Sequence, residues 1–457
     1  MTTLASPGAA LFPHFICRLS GLPVGHVEAL RAPRCEALLA RLHGVEGRLR
    51  AGREGVSALL HEAVGTLEDG EARRHLVRLR RDLFNLRPAR PDALDAARAI
   101  LPGPGAAEVE AFAALLRERA EAAEELRAAH AEETRAARRR FRALLDDPGF
   151  QKGLLLSSRA LHAAQDRYLA AGDGPLGGKL EKTERGLLRY FTRTAMKATP
   201  FGTLCAVVPG TFAPPAAGAA PGIALGGDPL PKRSLVRLNK QLYGIVTRFL
   251  STQRSIRPHL HVELNPTIGE EGDQLVYLAV YRGREAFQRL ARSPVLDLIA
   301  ATVAERVHLP LRELARVLAG HPDVEASEEE ATKYVERLVD AGLLRVRFGI
   351  REQEVDWDVP LRELLESIPD ERTELLTGVL RTLREQLERF ESGTVEERAE
   401  VLEECRGVLE AMSDTLKLRG FDPAGMLPFM EDATADAPVS IPRTSGWERV
   451  ERALESY

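Results

Sequence analysis

Residues 182–212 read KTERGLLRYFTRTAMKATPFGTLCAVVPGTF. Leu187, Leu188, Phe191 and Ala195 recur at helical spacing, so residues 184–198 are predicted to form an amphipathic helix with one apolar stripe. The other face carries Arg185, Arg189, Arg193 and Lys197 at intervals of four, which stacks the cations with a drift of roughly 40° per step. Pro200 disfavours helical geometry in the residues before it and Gly202 permits a sharp turn, so the helix must end in a rigid corner, Thr199-Pro200-Phe201-Gly202. A strand at 204–208 follows, and Thr199 sets a hydroxyl at the end of the cationic row.

Like charges four apart oppose a helix by roughly 0.2–0.5 kcal/mol per pair, and Glu181 is placed to compensate only Arg185. Either acidic residues from elsewhere in the fold pair with the row, or an external anion does. In the second reading the corner suits a phosphate or a terminal adenosine.

Toward the N-terminus, residues 12–19 read as a strand, and helical pattern runs over 27–49, 59–86 and 92–102, broken by Pro88, Pro91, Pro102 and Pro104. Residues 106–145 hold no Gly or Pro and predict one long helix or a helical hairpin arm. Its basic end, Arg138-Arg139-Arg140 and Arg142, fits a solvated helix C-terminus or an RNA contact. Residues 153–158 look strand-like. Residues 212–231, rich in Ala, Pro and Gly, read as a surface linker.

Beyond the linker come a helix at 238–250, strands at 259–263, 275–281 and 285–290, helices at 294–305, 310–318 and 328–341, and a strand at 343–347. Helical pattern fills 360–416, and 420–457 reads as an irregular tail. The expected class is α+β, in three parts: an α/β part at 1–230, a linker helix with a winged-helix-like element at 231–348, and a helical part with its tail at 349–457.

A chain of 457 residues, 44% hydrophobic and 28% charged, is long enough for two or three buried cores. Its 63 basic and 67 acidic residues nearly cancel, so nucleic-acid contact must come from a local patch. Cys17, Cys35, Cys205 and Cys405 lie far apart without a C-x-x-C pair, which argues against a disulfide framework and a zinc site and fits a reducing cytoplasm. Arg18 interrupts the short apolar stretch near the start, so neither a signal peptide nor a membrane span is expected. His259 and His261 share a strand face without further ligands, and no metal is expected there.

Arg189-Tyr190, Arg193, Lys197-Ala198-Thr199-Pro200-Phe201-Gly202 and residues 207–212 together resemble the N-terminal signature of the lantibiotic dehydratases. Phe15-Ile16-Cys17-Arg18, Val236-Arg237-Leu238-Asn239 and Asp356-Trp357-Asp358 stand in the family's order. The resemblance implies transfer of glutamate from glutamyl-tRNA, the cosubstrate, to Ser and Thr of a precursor peptide, then elimination to dehydroamino acids. No cofactor is implied.

By the same resemblance, glutamylation roles fall on Arg18, Arg193, Lys197 and Thr199, with Arg185 and Arg189 extending the grip on tRNA. Asn239 and Asp358 are carried over as further catalytic positions. Lys197 stands where some members carry arginine, and Asn239, where an aspartate is often found, cannot act as a carboxylate base. Members of the family are much longer, so a second biosynthetic protein is expected to supply the remaining glutamylation and elimination regions. A non-catalytic protein that recruits precursor peptide is the alternative.

Residues 258–348 follow the order of a winged-helix peptide-recognition element. Leu275, Tyr277 and Phe287 lie on strands that could take a leader peptide as an added strand, with Tyr334 and Leu338 lining the adjoining groove. DNA is disfavoured, because the presumed recognition helix opens with Glu328-Glu329-Glu330.

Overall fold

The structure, a computed structural model, describes residues 12–68, 70–172, 174–198, 202–213, 223–281, 284–306, 308–351 and 353–442, together with 447, 449, 450 and 453. They fall into two compact units. Residues 22–147 and 160–196 form a helical unit, and the remainder forms a unit built on a sheet.

In the helical unit, Pro33–Gly65 and Gly103–Leu144 are the longest helices, and Glu71–Phe84 and Pro91–Ile100 pack with them. Val45, Leu49, Leu60, Leu76, Leu79, Leu83 and Val109 are sealed in their shared core. Of the two forms expected for 106–145, the single helix is found, 42 residues long. Two cations of its basic end, Arg138 and Arg142, are held by packing, while Arg139 and Arg140 are exposed: Arg138 donates to both oxygens of Glu184 at 2.8 and 3.1 Å, and Tyr168 donates to the same carboxylate at 2.9 Å. Arg142 donates to the Gly172 carbonyl and lies over the Tyr168 ring.

The second unit centres on the strand Gly202–Ala213. His14–Ser20 runs antiparallel to it, with Arg18 opposite Val207. Two strands from the end of the chain, Phe429–Thr434 and Val439–Pro442, pair with it in parallel, and Phe429–Thr434 also pairs antiparallel with Arg233–Leu238. The tail expected to be irregular over 420–457 thus supplies interior strands. Its alternating pattern, with Phe429, Glu431 and Ala433 buried, is short and contains two acidic residues, which hid it.

Of residues 153–158, expected as a strand, 153–157 are helical, within Pro148–Ser157. Leu154, Leu155 and Leu156 are buried together, and a short apolar run has no periodicity with which to separate helix from strand. Gly153 lets this helix approach the central strand, since a Cβ there would lie 2.5 Å from the Leu204 side chain.

Helices Lys240–Leu250, Asp358–Glu366, Glu371–Ser392 and Val395–Leu416 share a core containing Leu242, Trp357, Leu361, Leu380, Phe390 and Leu409. Phe348 packs in the same core, so the division expected at 348 falls inside this unit, as does the one at 230. Part of the expected linker, Ala224–Leu225, pairs with Val439 and Ser440. Residues 214–222 of the linker lie outside the described residues.

The winged-helix-like element has a core of its own around Val262, Ile299, Leu311, Leu314, Val335 and Leu344. His261–Leu264 pairs with Leu344–Arg347 and Leu309–Pro310. Gly269–Glu271, Gln274–Tyr281 and Arg284–Ala291 make a separate three-stranded sheet. No helix among the described residues is long and apolar enough to cross a membrane.

Candidate functional site

The cationic row lies on the helix Gly178–Met196, whose Leu187, Phe191, Thr194 and Ala195 are buried. Arg185, Arg189 and Arg193 are exposed on the opposite side. Arg185 reaches Glu181 at 3.9 Å, whereas Arg189 and Arg193 have no ion pair among the described residues. Lys197 is exposed and follows the last helical residue, so the helix carries three of the four cations. Pro200 accounts for the early stop. Thr199, Pro200 and Phe201 lie outside the described residues.

Gly202 closes the corner with φ of +50°, a conformation that favours glycine. A Cβ there would also lie 2.9 Å from Glu431 Oε2. Beneath it Arg398 donates to Glu431 Oε1 at 2.8 Å, the two side chains being 1% and 0% exposed. Ser234 donates to the same oxygen, and Arg398 donates to the Ser234 hydroxyl and to the Glu391 carbonyl. The Lys152 ammonium is held below its usual range by burial and by Arg398. Sequence reasoning found none of these polar residues, because Arg398 looks like an ordinary helix-surface cation and Glu431 lies in the stretch read as irregular.

The opposite face of the sheet is open. Register places Arg18 on this face with Val207, and Arg237 and Asp432 share it, bonded to each other at 2.6 Å. Ile16, Leu235 and Met430 stand beside them and are exposed. Arg18 and the Arg237–Asp432 pair thus sit on an amphipathic surface fed by the strand that leaves the corner.

Residues 146–456 match the family model described as "Lantibiotic dehydratase, N terminus", about two thirds of the chain, a stretch that contains residues 189–212, 236–239 and 356–358 and begins after 15–18. The chain belongs to this family. The subtilin biosynthesis protein SpaB of Bacillus subtilis is 36% identical over 69 residues, which is 15% of this chain and 7% of that protein. Among solved structures, the glutamylation domain of TbtB from thiomuracin biosynthesis superposes with a TM-score of 0.69 at 23% identity, covering 96% of this chain and 50% of that one. The same domain bound to 5'-phosphodesmethylglutamycin gives 0.68 at 21% identity, covering 97% of this chain and 51% of that one. These likenesses establish a common fold, and the chain spans about half the length of those structures.

Within this lantibiotic dehydratase framework, two of the signature residues are engaged in holding the fold. Asn239 caps the helix Lys240–Leu250: Oδ1 accepts from the Gln241 amide at 3.0 Å, while Nδ2 donates to the Leu427 carbonyl at 2.8 Å. An aspartate would keep the cap but turn a second acceptor toward that carbonyl, which accounts for the amide here. Asp358 is wholly buried and accepts from Nε and Nη2 of Arg384, whose Nη1 donates to Asp356 at 2.9 Å. Between the two acids Trp357 is buried and donates to the Leu238 carbonyl at 3.2 Å.

The five residues assigned to a leader groove divide sharply. Leu275, Tyr277 and Leu338 belong to the element's core, the Tyr277 hydroxyl donating to the Ala341 carbonyl at 3.2 Å, and cannot line an open groove. Strand alternation turns Leu275 and Tyr277 inward, and Leu338 lies on the buried side of the helix Glu328–Asp340. Tyr334 is partly buried with Arg337 against its ring. Phe287 is 75% exposed on the outer face, diagonal to Val280 at 71%.

Proposed function

We propose that this chain is the glutamylating, N-terminal part of a dehydratase, transferring glutamate from glutamyl-tRNA to Ser and Thr of a ribosomally made precursor peptide in the cytoplasm. The observation that carries the reading is the exposed pair Arg189 and Arg193, without an ion pair among the described residues, on the helix that runs into the family's corner. An anion offsets the like-charge repulsion along that row, and guanidinium groups grip phosphate with two parallel hydrogen bonds.

In the reaction, the precursor hydroxyl oxygen attacks the ester carbonyl of the aminoacyl-tRNA and displaces the hydroxyl of its terminal ribose. Arg18, Arg193, Lys197 and Thr199 are assigned to holding and polarising that end. Loss of the new glutamate ester as glutamate, with a proton from the α-carbon, then leaves the dehydroamino acid, a step assigned to a second polypeptide. No cofactor is required.

The strand Arg284–Ala291 pairs only with Gln274–Tyr281 among the described residues, so one edge is open to an added strand, with Phe287 and Val280 on the adjoining face. This edge is assigned to the precursor leader.

The test is mass spectrometry of the precursor peptide after incubation with the chain, tRNA, glutamate and the cognate synthetase, with and without a protein encoded nearby. A glutamyl adduct is expected with that protein present. Peptide binding with no adduct in either case would leave the chain a recruitment protein, a second reading favoured by the structural engagement of Asn239 and Asp358.

A further inference from the structure

The helical unit carries another cationic surface, on the helix Glu71–Phe84. Leu76, Leu79 and Leu83 fix one side of that helix in the core, so Arg74, Arg78 and Arg81, spaced as i, i+4 and i+7, form one outward stripe. At its end Asn85 Nδ2 donates to the Arg81 carbonyl at 2.7 Å, and Leu86 takes φ of +53°, uncommon for any residue but glycine. The Arg87 amide then donates to the Asp82 carbonyl at 2.8 Å. The chain doubles back, and Arg87 and Arg90 join the stripe around one concavity of about 940 Å³.

Asp82 is the single carboxylate among the described lining residues. Arg74, Arg78, Arg81, Arg87 and Arg90 form no ion pair among the described residues. Arg74 and Arg78 repel each other at helical spacing, so the stripe opposes the helix that presents it unless an anion fills the groove. Five guanidinium groups converging on one concavity, with Asp82 the single carboxylate among its described lining residues, match a chain of phosphates.

We propose that this groove binds the phosphate backbone of RNA, that of the same tRNA whose aminoacyl end the proposed function requires, and the proposal rests on that reading. An acidic peptide is disfavoured because, among the described lining residues, only Val77 and Pro88 are apolar, which gives it no anchoring pocket there. A bilayer is disfavoured because Leu76, Leu79 and Leu83 are already buried, leaving only Val77 and Phe84 as exposed large apolar side chains of this helix. These residues precede the stretch matched by the family model, which starts at 146.

Fluorescence anisotropy of labelled glutamate-accepting tRNA, from about 50 to 200 mM salt, tests the groove. The variant R74Q/R78Q/R81Q is expected to bind at least about tenfold more weakly at the low-salt end and to lower the slope of log affinity against log salt by about 2 to 3. R74K/R78K/R81K keeps the slope, and R87Q/R90Q, outside the helix, gives the same loss on a smaller scale. Unchanged affinity and slope in both Gln variants, with binding lost in R189Q/R193Q, would overturn the groove and leave the tRNA reading standing. A wild-type chain that binds no tRNA sinks both. Polyglutamate binding more tightly than tRNA, and sensitive to the same Gln variants, would reassign the groove to acidic peptides.

Discussion

Arg398 and Glu431 are joined at 2.8 Å with both side chains sealed from solvent, tying the helix Val395–Leu416 to the strand Phe429–Thr434. The Arg398 guanidinium also lies 4.4 Å from the centre of the Phe390 ring. Losing one partner leaves an uncompensated buried charge, so Arg398→Met or Glu431→Leu should each cost about 3–5 kcal/mol in urea unfolding. Replacing both should recover most of that loss. Single variants within about 1 kcal/mol of wild type would mean that water reaches the pair.

Asp358→Asn should act through stability. It removes a wholly buried charge facing Arg384, at an expected cost of about 3 kcal/mol in chemical unfolding. Below the variant's unfolding temperature glutamylation should persist, and an inactive but equally stable variant would return Asp358 to the chemistry.

Arg189→Ala combined with Arg193→Ala should separate binding from folding. Relief of repulsion along the row is worth only about 0.2–0.5 kcal/mol, so thermal stability should hold or rise slightly while tRNA affinity falls at least about tenfold. Leader-peptide binding should be unaffected. Intact tRNA binding in this variant would remove the row from the site.

Phe287 and Leu338 should respond in opposite ways. Phe287→Ala, on an exposed face, should stay within about 0.5 kcal/mol of wild type yet bind leader peptide several-fold more weakly. Leu338→Ala empties a core position and should cost about 2–5 kcal/mol. Isothermal titration and urea unfolding of both variants distinguish the two roles.

Alkaline pH should weaken the fold. Burial pushes the Cys405 thiol up to about 12 and raises Cys205 as well, and Tyr168 is raised by burial and by its bond to Glu184. A raised folded value keeps the proton on the native state after the unfolded chain has lost it, so this stability is complete below about pH 8.5 and drains away toward pH 12. Urea midpoints measured upward from pH 8 should fall, and Cys405→Val should flatten part of the decline. Native Cys405 should also resist iodoacetamide.

Much of the fold was readable before any coordinates. Periodicity in 184–198 marked the amphipathic helix, Pro200 marked its end, and the Gly- and Pro-free stretch marked the long helix Gly103–Leu144, because those signals are local. The signature residues likewise announced the family, which the match over 146–456 bears out.

What lay beyond the sequence was every feature that depends on partners distant along the chain. The strand Phe429–Thr434 exists because Gly202–Ala213 and Arg233–Leu238 flank it, and its own residues, two of them acidic, hold little strand preference. Asn239 and Asp358 look like chemistry in a motif, but Leu427 and Arg384, 188 and 26 residues away, engage them in holding the fold. Local propensity and backbone sterics are written into neighbouring residues. Burial and the pairing of charges are settled only when distant segments meet, and it was these that separated the structural members of the signature from the exposed cations that remain available to a ligand.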